Sequence, residues 1–139
     1  MNSHKRNGFT LIELMIAVAI IAILTGISWP TYVSYMTRSS RSAAQTKLLE
    51  LAGLQEKIYQ DANSYTVSAT AAYNGRADGG LGTTGNTDDG KYALTITPNA
   101  LPTQTFLITA TPVIGSTQDG DGILTISSNG TRLHAGVPW

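Results

Sequence analysis

No cysteine occurs anywhere in the 139 residues. Disulfides and thiolate metal sites are therefore excluded, and the core and turns must supply all of the stability. Charge is scarce as well. Only 13% of the residues are Asp, Glu, Lys or Arg, and the formal net charge is zero. No global basic field exists to draw nucleic acid. The second half is poorer still in cations: from residue 61 onward Arg76, Lys91 and Arg132 stand against Asp61, Asp78, Asp88, Asp89, Asp119 and Asp121. That balance works against phosphate contact, so nucleic acid is not an expected partner. Histidine is limited to His4 and His134, and the abundant Ser and Thr never fall in a nucleophile elbow. No catalytic constellation is visible, and an enzyme is the least favoured class. Length allows one domain with a modest core.

What the chain has in quantity is apolar side chain, 42% of the whole. Residues 1–8 contain His4, Lys5 and Arg6 and no acid, and from Leu14 to Thr37 no residue is charged. A run of about 20 apolar residues spans a bilayer as a helix, and the preceding cations hold that end in the cytoplasm. An ordinary signal peptide would end at a small-residue cleavage site. Here the apolar run leads instead into Trp29-Pro30-Thr31-Tyr32. A plain anchor explains the length and the positive end, but not Glu13. An acid costs about 2.5–3.5 kcal/mol at the bilayer centre and less near one end, so Glu13 needs a partner or a place among the headgroups.

Past Pro30 the sequence turns polar but keeps helical spacing. Ala44, Leu48, Leu51, Gln55 and Ile58 follow steps of four and three, with Ala52 and Tyr59 on the same face. This is an amphipathic helix with one stripe for a core. Pro30 removes a backbone donor and clashes with the preceding turn, which predicts a kink or a melted stretch between Ala22 and Pro30. The helix is expected to end at Asp61–Asn63.

Residues 64–90 carry six glycines among Thr and Asn, a long loop by composition. Gly79-Gly80-Leu81-Gly82 lacks the leading strand and the Lys-Ser/Thr ending of a phosphate loop. Three alternating runs follow, built on Tyr92, Leu94 and Ile96, on Phe106, Ile108 and Ala110, and on Leu124 and Ile126. Asn129-Gly130 is a turn signal before Thr131 to His134. Short links imply an antiparallel sheet covering the Ala44–Tyr59 stripe. The expected fold is α+β: a long N-terminal α-helix, half transmembrane and half amphipathic, packed against a small antiparallel head. Asp88-Asp89 and Asp119-x-Asp121 are acid pairs. The second could offer oxygens to a weak calcium site, but an Asp-Gly turn is favoured because the full EF-hand pattern is absent.

Gly8-Phe9-Thr10-Leu11-Ile12-Glu13, set between a short basic leader and a long apolar helix, resembles the class III signal of type IV prepilins, pseudopilins and competence pilins. The resemblance implies that a prepilin peptidase removes residues 1–8 by cutting between Gly8 and Phe9, and that the new N-terminus at Phe9 is methylated. Residues 9–37 would then form the transmembrane and filament-core helix, and residues 38–139 the amphipathic continuation and the globular head. It also implies that Glu13 pairs with the Phe9 amine of a neighbouring subunit. Two charges costly alone in an apolar core are far less costly together.

Tyr32-Val-Ser-Tyr35, Arg38-Ser-Ser-Arg41, the segment from Leu51 to Tyr59, Tyr92-Ala-Leu-Thr-Ile and Phe106-Leu-Ile-Thr-Ala-Thr-Pro112 look like PilE-like type IVa pilins. Relatives of that kind usually close a C-terminal loop with two cysteines. Here those places read Asp119-Gly-Asp121-Gly122 and Gly136-Val-Pro-Trp139. Another device must hold the loop, and Trp139 is expected to dock beside the Leu124–Ile126 strand.

The implied function is that of a structural subunit of an extracellular type IV pilus, serving adhesion, twitching motility or DNA uptake. The implied partners are other pilin subunits, the prepilin peptidase, the inner-membrane assembly platform, and the inner membrane itself before assembly, crossed once with the N-terminus cytoplasmic. The alternatives are a pseudopilin of a type II secretion system and a DNA-receptor competence minor pilin. No cofactor is expected beyond the weak calcium at Asp119 and Asp121.

Overall fold

A computed structural model describes residues 9–98 and 105–139. The leader, and with it Gly8, lies outside the described residues. The element order is α1 (Leu11–Ala62), β1 (Tyr92–Pro98), β2 (Phe106–Pro112), β3 (Leu124–Ser127), β4 (Arg132–His134) and β5 (Val137–Pro138). Contacts divide the chain into a unit ending at Met36 and a second running from Thr37 to Trp139.

In the first unit, α1 begins at a capping box. Thr10 is the N-cap: its carbonyl accepts from the Leu14 amide at 3.2 Å, and its hydroxyl accepts from the Glu13 amide at 3.3 Å. The Glu13 carboxylate returns to the Thr10 amide at 2.9 Å. Two orphan donors of the first turn are satisfied reciprocally. The helix then runs unbroken through Pro30, so the melted stretch expected between Ala22 and Pro30 is absent from the isolated chain. A proline deletes one rung, the one that would end on the Gly26 carbonyl, and the rungs on either side hold the turn. Gly26 brings no side chain to crowd the ring, and open space surrounds it.

In the second unit the polar half of α1 buries Ser40, Ala44, Leu48, Leu51, Gln55 and Ile58, a stripe at helical spacing. Asn63, at φ 52°, closes the helix in the left-handed region, and its amide donates to the Tyr59 carbonyl at 2.8 Å. The sheet order is β1-β2-β3-β4-β5, antiparallel throughout. Register aligns the inward residues across strands: Leu94 with Ala110, Ile96 with Ile108, Ile108 with Ile126, and Ala110 with Leu124. With Tyr92, Phe106, Tyr65 and Leu81 they close over the helix stripe as one core. Tyr65 stacks on Tyr59 with centroids 4.6 Å apart and meets Phe106 edge-on at 4.8 Å.

β5 carries no clear signal in the sequence. It follows a two-residue turn in which Ala135 (φ 50°) and Gly136 (φ 83°) are both left-handed, pairing His134 with Val137. This is primed-turn geometry, for which Ala-Gly is a poor sequence signal beside Asn-Gly. The loop from residue 64 to 90 stays free of strands, as composition predicts, apart from single bridges at Ser68–Gly80 and Asn86–Ala93.

Candidate functional site

Two places concentrate the residues that sequence singles out. The first is the start of α1. Phe9 and Glu13 are both exposed, and Phe9 precedes the helix. The Glu13 carboxylate accepts from the Thr10 amide and, at 2.7 Å, from the Thr10 hydroxyl. Glu13 thus already has a partner within its own chain. Thr10 is legible in the sequence only as the first member of Thr-x-x-Glu before an apolar run, the capping-box signature. Beyond it, α1 is long and apolar enough to cross a membrane, and the window that qualifies it has no residue buried. Thr25 donates its hydroxyl to the Ile21 carbonyl at 2.8 Å, so this polar group is satisfied by the helix itself.

The second place is Asp121. Its side chain is only 5% exposed and gathers groups from three elements. From α1, Arg41 donates through Nε at 2.9 Å to Oδ2 and through Nη2 to Oδ1, a two-pronged fork. From β1, the Tyr92 hydroxyl donates to Oδ2 at 2.6 Å. From β4, His134 Nε2 lies 3.7 Å from Oδ2 and donates at 2.6 Å to the Asp121 carbonyl, which can only accept. The hydrogen bonds from Arg41 hold the Asp121 carboxyl below the usual carboxylate range, against burial, which pushes the other way. Burial raises the Tyr92 phenol, and its bond to Asp121 adds to the rise.

The two acids named for a weak calcium site or a turn, Asp119 and Asp121, have separate partners in this fold. Asp121 faces an organic cation, while Asp119 turns elsewhere and accepts the Gly115 amide at 3.1 Å. Among the described residues, no group of three or more His, Asp or Glu is placed to hold a metal. The turn expected at Asp119 is there, whereas Asp121 does something sequence did not reveal. It ties the C-terminal loop to α1 and β1, where relatives were expected to place a covalent bridge. Gln118 adds a second tie, donating to the Thr37 carbonyl at 2.8 Å.

Two further clamps complete the head. Gln55, buried in the helix stripe, holds the Thr66 backbone from both sides: Nε2 donates to the carbonyl at 2.9 Å and Oε1 accepts the amide at 3.0 Å. Thr66 in turn donates its hydroxyl to the Gly79 carbonyl at 2.5 Å. Trp139 docks on the core as expected, but against β4: its amide donates to the Arg132 carbonyl at 3.4 Å, and the Arg132 guanidinium sits 5.7 Å over its ring.

The sequence pattern described as "Type IV minor pilin ComP, DNA uptake sequence receptor" matches residues 30–125, and the "Prokaryotic N-terminal methylation motif" matches residues 3–29. The Fimbrial protein EcpC of Eikenella corrodens is 33% identical over 139 residues, which is all of this chain and 84% of EcpC. The chain belongs to the type IV pilin family. Type IV major pilin protein PilA of Myxococcus xanthus is 42% identical to this pilin over 62 residues, covering 45% of the pilin and 28% of PilA. Type IV major fimbrial protein FimA of Dichelobacter nodosus is 41% identical over 93 residues, covering 64% and 50% respectively. This pilin thus spans half or less of those two relatives. A type IV pilin from Shewanella oneidensis superposes with a TM-score of 0.52 at 23% identity, over 74% of this chain and 97% of that one, and bears out the fold. Pilin membership makes this chain a structural subunit and not an enzyme.

Proposed function

We propose that this pilin is a building subunit of an extracellular type IV pilus, held in the inner membrane by the apolar half of α1 before assembly. Prepilin peptidase cuts it between Gly8 and Phe9 and methylates Phe9, and the assembly platform then moves it into a filament of like subunits. The observation that carries this is the fully exposed apolar window of α1, headed by Phe9 and Glu13 and left unburied by the chain's own fold. In the filament, Glu13 exchanges its Thr10 contacts for the Phe9 amine of a neighbour. Glu13→Ala should leave cleavage and membrane insertion intact and cut surface filaments at least tenfold in sheared preparations. Mass spectrometry of the same preparations should find an N-terminus at methylated Phe9. Normal filaments from Glu13→Ala, or a start near Thr31, would refute the proposal.

A second reading, a receptor for DNA, is favoured by the pattern that matches residues 30–125. The cations of the head speak against it, because most already have partners. Arg41 is held by Asp121, Lys47 by Glu50 at 3.0 Å, Lys91 by the Ser40 hydroxyl at 2.8 Å, and Arg132 stacks on Trp139. Phosphates would have to compete for them. Retention of the purified pilin by duplex DNA at 150 mM salt, weakening steeply as salt rises, would move the assignment to this second reading.

A further inference from the structure

We propose that Trp29, Tyr32 and Tyr35 form an interfacial belt that seats α1 at the outer headgroup layer of a phospholipid bilayer and sets the depth at which the chain leaves the membrane. The proposal rests on the reading above of a membrane-held subunit and adds the registry to it. All three rings are more than half exposed. They fall at steps of three along α1 (Leu11–Ala62), so they share one broad flank of the helix. The Tyr32 and Tyr35 hydroxyls have no hydrogen-bond partner among the described residues. An apolar ring with an unspent polar tip is the chemistry that prefers the boundary between hydrocarbon and water.

The position along the helix fits that boundary. At 1.5 Å per residue, Tyr32 lies about 28 Å beyond Glu13. The hydrocarbon layer is about 30 Å thick. One end of the span therefore carries the Thr10–Glu13 capping box, and the other carries the aromatic belt. Between them, Thr25 and Thr31 donate their hydroxyls back to the Ile21 and Ile27 carbonyls at 2.8 and 3.4 Å, which spares those two groups an unpaired exposure to hydrocarbon. Before assembly, lipid is the occupant that suits a flank of rings following an all-round apolar helix. No acid or base between Leu14 and Thr37 offers a protein partner a charge to recognise.

The chain carries two tryptophans, Trp29 and Trp139, so Trp139→Phe leaves Trp29 as the sole indole reporter. The full-length variant would be reconstituted into vesicles of phosphatidylethanolamine and phosphatidylglycerol, doped with lipids brominated either near the headgroup or near the chain end. The expected result is quenching of Trp29 at least about twofold stronger by the shallow bromines than by the deep ones, with emission shifted to the blue of free tryptophan. Stronger quenching by the deep bromines would overturn the belt and leave the membrane-held reading standing. So would emission that turns blue only at high protein-to-lipid ratio, which would make a second copy the occupant. Failure of the chain to float with the vesicles would overturn both.

Discussion

Removing the Asp121 carboxylate tests whether a non-covalent lock holds the C-terminal loop. In Asp121→Ala, the Tyr92 hydroxyl loses its acceptor inside a residue that is fully buried, and Arg41 loses its fork. A buried hydroxyl left without a partner costs about 1–3 kcal/mol, and a hydrogen bond to a charged group contributes about 1.5–3 kcal/mol. The Arg41 side chain is 30% exposed and can turn to water, which discounts its share. The sum is about 3 kcal/mol, below the ~3–5 kcal/mol of breaking a wholly buried pair. For a head of about 100 residues that predicts a fall in Tm of roughly 10–20 °C. Near-ultraviolet circular dichroism of the detergent-solubilised chain at pH 7 would read it. A variant melting within about 2 °C of the parent would refute the lock. Acid should act in the same direction. The folded Asp121 carboxyl titrates below its unfolded value of about 3.9, so the unfolded chain binds more protons in between, and this contribution disappears as pH falls through the folded value. The raised Tyr92 phenol works oppositely: its contribution is complete below the unfolded value of about 10 and is lost as pH climbs toward the folded one. Asp121→Ala should flatten the acid limb.

Deleting Trp139, a partly buried ring, should lower the melt by several degrees, about half the effect of removing a fully buried aromatic; an unchanged melt would mean that the tail carries no load. Gly80→Ala should destabilise the long loop strongly, because an added Cβ would lie 2.3 Å from the Ala71 carbonyl oxygen; wild-type proteolysis rates at residues 64–90 would contradict that packing. EDTA should shift the melt by less than about 1 °C, since Asp121 faces Arg41, whereas a drop of several degrees would reveal a bound cation.

Much of the head is legible in periodicity alone. The stripe Ala44, Leu48, Leu51, Gln55 and Ile58 and the inward residues of β1, β2 and β3 follow from steps of 3.6 and 2, because one face of each element must leave water. What the sequence hides is pairing over distance. Arg41 and Asp121 are 80 residues apart, and nothing local distinguishes that aspartate from Asp119. Gln55 reads as one more member of the stripe, yet its amide fixes the start of the loop from residue 64 to 90. β5 escapes notice because Ala135 adopts a left-handed turn position that sequence statistics give to Asn or Gly. Of the two effects that Pro30 suggests, a kink or a melted stretch, the melted stretch does not occur where the removed rung ends on Gly26.

The Asp121 lock has a consequence for how the head recovers from damage. Each of its bonds re-forms by diffusion and collision, with no oxidant and no isomerase to choose a correct pairing. A head pulled open by shear or heat and then released can close again in dithiothreitol as readily as in air. The same chemistry lets the tie weaken as pH falls through the folded Asp121 value and return in neutral buffer, where a covalent bridge would not respond to acid.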